Sequence, residues 1–87
     1  MNAAEIKHFL DKSGNVSSWP SKKGRQLLVL EYLSNFFEKE KFYSEAEVNQ
    51  ILKSHHTFSD WSLLRRELVE NGLLSRDKNG YQYRRNK

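Results

Sequence analysis

Arg76, Lys78, Arg84, Arg85 and Lys87 crowd the end of the chain against a single acid, Asp77, whereas residues 1–74 hold ten Lys and Arg against ten Asp and Glu. The whole formal excess of +4 therefore sits on residues 75–87. Interleaved with those cations are Tyr81 and Tyr83. Cations that neutralise phosphates release condensed counterions, so a basic, aromatic-bearing ribbon suits contact with a nucleic-acid backbone. If Asn79-Gly80 is a two-residue turn, Lys78 faces Tyr81 and Arg76 faces Tyr83 across paired strands. The alternative is that both tyrosines cover the core while Gln82 and Arg84 face solvent; a four-residue turn would shift these pairs.

A second candidate surface is the helix expected over Phe58–Asn71. With Trp61, Leu64 and Leu68 facing inward, its outer face presents Ser59, Ser62, Leu63, Arg66, Glu67 and Glu70. Serine and arginine suit contacts in the major groove, where the second helix of a helix-turn-helix docks. Against that, Arg65 and Arg66 face Asp60, Glu67 and Glu70, so the segment is slightly acidic, and Arg66 and Glu70 are spaced to pair with each other. Arg65 falls at the core boundary, where stacking on an aromatic or binding a carboxylate within the fold is expected. Lys22, Lys23 and Arg25 form a third basic cluster, able to extend the wing surface if the start of their helix lies beside it.

Signals for catalysis are weak. His55 and His56 are adjacent, so one regular element cannot aim both at one ion, and only Asp60 is near as a further ligand. His8 is isolated. No Ser-His-acid arrangement, glycine-rich phosphate loop or dedicated carboxylate pair is present. The expectation is a protein that is not an enzyme, with no catalytic residue, no metal and no cofactor.

The elements that must hold these groups can be read from caps and periodicity. Asn2 is positioned to cap a short docking helix carrying Ile6, Phe9 and Leu10, which Ser13-Gly14 stops. Trp19, biased to an extended conformation by Pro20, is expected to pin the connector that follows. Ser21 is the expected cap of the longest helix, about residues 22–38. It is apolar on two sides, with Leu27, Leu30, Leu33 and Phe37 on one and Leu28, Val29, Tyr32 and Phe36 on much of the other. Both sides then need cover, one from the unit Glu45–Tyr83 and the other from the N-terminal helix with Trp19.

Phe42-Tyr43 is a brief extended segment, long enough to pair as a third strand. Ser44 and Glu47 form a capping box at the start of the next helix, with Val48, Ile51 and Leu52 as its apolar stripe. Thr57 and Asp60 repeat the spacing before the second helix, and Gly72 ends that helix because glycine enters the left-handed region without steric cost. The order is helix, strand, helix, turn, helix, strand, strand. The fold class expected is mainly α with a small antiparallel β-sheet (α+β), a winged helix-turn-helix with an extra N-terminal helix. One domain fills residues 1–87: 1–20 helix and connector, 21–38 first core helix, 44–72 helix-turn-helix, 73–87 wing hairpin and tail.

Eighty-seven residues without cysteine must fold on their apolar core alone, which 13% aromatic content makes feasible. No apolar run approaches the roughly 20 residues that span a bilayer, and the first ten residues lack a secretory apolar region. The expected location is the cytoplasm, with no membrane partner.

Gly14, Trp19-Pro20-Ser21-Lys22, the Leu-rich helix, Tyr43-Ser44-Glu45, Glu47-Val48-Asn49, Leu64-Arg65-Arg66-Glu67-Leu68, Gly72 and Gly80-Tyr81 occur in an order that resembles a bacterial domain-of-unknown-function family, number two thousand and eighty-seven of that series. The resemblance spans residues 11–85. It implies a setting in bacterial transcription regulation, because members occur alone or attached to helix-turn-helix regulators, and it implies no known reaction and no established site residue. Two readings follow. One is a module binding double-stranded DNA through Lys22, Lys23, Arg25, Ser59, Ser62, Arg66, Arg76, Lys78, Arg84 and Arg85. The other is a protein-interaction or homodimerisation module on the same scaffold, favoured by the neutral body and the acidic second helix.

Overall fold

The computed structural model describes residues 3–79 and 82–86. A short helix α1 (Ala3–Ile6) runs into a 3₁₀ turn at Lys7–Phe9 and is followed by α2 (Lys23–Ser34). Strand β1 (Phe42–Tyr43), helices α3 (Glu45–His55) and α4 (Trp61–Glu70), and strands β2 (Leu74–Arg76) and β3 (Tyr83–Arg85) complete it. The strands form one antiparallel sheet in the order β1-β3-β2, so Phe42-Tyr43 is the third strand of the wing. Helices followed by this sheet make an α+β fold compatible with a winged-helix-like arrangement. Asn2, the expected cap of α1, lies outside the described residues.

Helix α2 is shorter than its apolar span suggested, and it starts differently. Lys22 is its N-cap and no side chain caps it, so Ser21 does not serve; the Lys22 carbonyl accepts from the amides of Arg25 and Gln26. Val29, Leu30 and Leu33 are fully enclosed, and Phe37 joins them from beyond the helix end. Leu27 and Phe36 remain partly in water, so the cover on the two sides is incomplete at its edges. Ile6 and Val16 enter the core from the N-terminal segment, with Phe9, Leu10 and Trp19 packed against it.

The helix-turn-helix is set at each end by local chemistry. Ser44 Oγ accepts from the Glu47 amide at 3.1 Å and Glu47 returns a carboxylate to the Ser44 amide at 2.8 Å, the full capping box. At the other end Gly72 has φ of 76°; its amide donates to Val69 and that of Leu73 to Leu68. This is a Schellman motif, which satisfies carbonyls that the helix end leaves without partners.

The turn between α3 and α4 departs from expectation. Asp60, not Thr57, caps α4, its carboxylate accepting from the Leu63 amide at 3.3 Å. The expected Thr57–Asp60 box cannot close, because the Thr57 amide that would donate to the Asp60 carboxylate donates instead to the Val16 carbonyl at 2.9 Å, while the Val16 amide donates to His55 at 2.8 Å. The N-terminal connector thus forms a parallel bridge with the turn at Val16 and His56. Consequently α4 begins at Trp61, and Phe58 and Ser59 belong to the turn.

Candidate nucleic-acid interface

His56 is the turn's buried polar centre. The Asp60 amide donates to its Nε2 at 3.0 Å, so Nδ1 carries the ring proton and donates to the Leu52 carbonyl. Both ring nitrogens are satisfied. His55 instead stacks on Phe36 at 3.6 Å between centroids, and burial pushes its pKa below the ordinary value. The pair builds a connector. Among the described residues no group of three or more His, Cys, Asp or Glu is placed to hold a metal ion.

Eight of the ten candidate cations and serines fall in three separate places, and Arg85 and Ser59 stand apart from them. The first is a groove of about 340 Å³ between α4 and the wing, lined by Ser62, Arg65 and Arg66 from the helix and by Arg76 and Tyr83 from the strands. Arg76 stands opposite Tyr83 in the β2–β3 register, as expected from a two-residue turn. The Asn79-Gly80 turn itself, and the expected pair of Lys78 with Tyr81, involve residues outside those described. Lys78, two residues beyond Arg76, is exposed. Arg66 and Glu70 form no ion pair among the described residues, although Glu70 also lines the groove.

The second place is the far face of the sheet. Arg84 pairs with Phe42 on β1 and with Ser75 on β2, and its guanidinium lies 5.9 Å from the centroid of the Phe42 ring. Alternation along β3 then turns Arg85 to the opposite side, where it is tied down: it donates to the Phe37 carbonyl at 3.1 Å and to Asn35 Oδ1 at 3.2 Å. Arg85 finishes the end of α2.

The third place is the start of α2. Lys22 and Lys23 are exposed there, and Arg25 lines a separate hollow with Glu5, His8 and Phe9. Because Arg85 anchors the wing beside the C-terminal end of α2, the twelve helical residues put this cluster about 18 Å away along the axis. Ser59, with φ of 56° in the turn, is not on the outer face of α4, and Leu63, expected to be exposed, is half-buried.

Sequence reasoning left Arg65 out of the interface, and the structure puts it in the groove. Its Nη1 donates to Asn49 Oδ1 on α3, and its Nε lies 3.9 Å from Glu45 Oε1. The same Glu45 oxygen accepts from the Tyr83 hydroxyl at 3.2 Å. Burial raises the Tyr83 pKa and the bond to Glu45 adds to it, while Arg65 and Arg76 act in the opposite sense. Glu45 therefore joins α4 to the wing. Only the expectation that Arg65 would bind a carboxylate hinted at this, since the partners lie on separate elements.

Among the described residues no helix is long and apolar enough to cross a membrane. The chain matches no curated protein and no solved structure. Residues 15–85 match a bacterial family described as "uncharacterized protein conserved in bacteria" (DUF2087), nearly the span of the sequence resemblance, and the chain belongs to that family.

Proposed function

We propose that this chain is a small, non-catalytic winged-helix module that binds double-stranded DNA in bacterial transcription regulation, acting in the cytoplasm. The observation that carries the reading is the groove lined both by Ser62 and Arg66 of α4 and by Arg76 of β2. Neither arginine has an ion-pair partner among the described residues. A phosphate passing between helix and wing would meet cations from both. Lys78 continues the strand beyond Arg76 toward the wing tip and adds a third positive group.

Arg84, Arg85, Lys22, Lys23 and Arg25 are not needed for this contact. About three neutralised phosphates correspond to a slope near −3 for log affinity against log salt. Fluorescence anisotropy with a random duplex, repeated from low to moderate salt, measures that slope. No retention of duplex at the lowest salt would remove the reading.

A second reading rests on a different observation. Phe42 is 57% exposed on the outer face of the sheet, with Arg84 beside it, which suits contact with another protein or a second copy of the chain. Sedimentation of wild type and Phe42→Ser separates the two: a dimer lost in the variant, with duplex binding absent in both, favours the protein contact.

A further inference from the structure

Among the described residues Arg65 is the groove arginine with a hydrogen bond and an ion pair within the protein, and the terms of that engagement are unequal. The bond to Asn49 orients the guanidinium from α3, while the contact with Glu45 is an ion pair at 3.9 Å with no hydrogen bond in it. Arg65 is about four-fifths buried, with a side-chain exposure of 21%, whereas Glu45 is half in water at 51%. A guanidinium carries five N–H donors, and Asn49 uses one of them. Arg65 also lines the groove between α4 and the wing, and its one ion pair among the described residues is with a carboxylate that is half in water.

We propose that Arg65 is a third anion ligand of this groove, for a phosphate diester group, and that Glu45 is the group from which an incoming phosphate takes it. The inference rests on the groove reading above and gives it a specific exchange: Arg65 keeps Asn49, its Nε side passes from carboxylate to phosphate, and Glu45 keeps the hydroxyl of Tyr83. No covalent bond changes and no proton needs to move.

Glu45→Gln tests this, since the amide retains an acceptor for Tyr83 and removes the charge. Against duplex DNA the variant should bind roughly two- to fivefold tighter at moderate salt, the range expected from one partly exposed ion pair. Its salt slope should match that of the wild type, because both proteins make the same phosphate contact once bound. Arg65→Gln placed on Glu45→Gln should abolish the gain and reduce the slope by about 0.9, with unchanged thermal melting confirming that each protein is folded. Weaker binding in Glu45→Gln would overturn the proposal and leave Glu45 as a strut.

A second measurement keeps the inference separate from the DNA reading. Inorganic phosphate titrated into ¹⁵N-labelled protein should shift the Arg65 Nε–Hε resonance, at lower concentration in Glu45→Gln than in wild type. That response in a protein retaining no duplex would discard the DNA reading and keep the anion site. An unmoved Arg65 resonance in both proteins would discard the site.

Discussion

Arg85 and Asn35 are fifty residues apart in sequence and joined by a hydrogen bond of 3.2 Å, and the same guanidinium reaches the Phe37 carbonyl at 3.1 Å. A terminal arginine that composition alone assigns to a basic tail is thus a structural fastener between the wing and α2. Arg85→Ala should cost about 1–2 kcal/mol of stability, from two charge-assisted bonds that are partly exposed. It should leave the salt slope of duplex binding unchanged. Arg76→Ala should do the reverse, changing stability by about 0.5 kcal/mol or less and reducing the slope by about 0.9. Urea unfolding and salt-dependent anisotropy on the two variants make the comparison.

His56 offers a test of the turn. Truncation to alanine removes the partner of the Leu52 carbonyl in a buried bond and of the Asp60 amide in a part-buried one, where among the described residues every buried side-chain polar atom is satisfied. We expect His56→Ala to lose about 2–3 kcal/mol by urea unfolding. His55→Ala should lose less, because that ring is partly exposed and contributes a stack rather than two hydrogen bonds.

Acid should act in two windows. His55 has a folded pKa below its ordinary value of 6.5, so the unfolded chain takes up its proton first; the associated stability is present above about pH 6.5 and is lost as pH falls through the folded value. Glu47 is also depressed, first by the Ser44 amide and then by its hydroxyl. Its contribution is present above about 4.5 and is lost as pH falls through its own lower folded value. Thermal melting against pH should therefore decline in both windows, with His55→Phe removing the upper decline and Glu47→Gln the lower.

Gly72 isolates backbone strain from packing. A Cβ there would meet nothing within 4 Å, yet φ is 76°. Gly72→Ala should cost about 1 kcal/mol, all of it conformational. Gly72→Asn should recover part of the loss, since asparagine tolerates the left-handed region better. Differential melting of the two variants provides the measurement.

What could be read from the residues was what neighbours in sequence decide. The Ser44–Glu47 box, the stop at Gly72 and the Arg76–Tyr83 register are each set within a few positions, and all three are present. The Thr57–Asp60 box did not close because Val16, forty-one residues earlier, had already taken the Thr57 amide. Tertiary bonding overrode a sound local motif. The division of the basic residues was hidden for the same reason: Arg85 is consumed across fifty positions, and Tyr83 meets Glu45 across thirty-eight. Charge counts locate cations along a chain without saying which are already occupied.

Val16 has both its backbone hydrogen-bonding groups committed to the turn that aims α4, one on each side of His56. The pitch of that helix is consequently answerable to a strand-like clasp near the beginning of the polypeptide. Any ligand, fusion or cleavage that tugs on the first twenty residues gains leverage over the groove without approaching it.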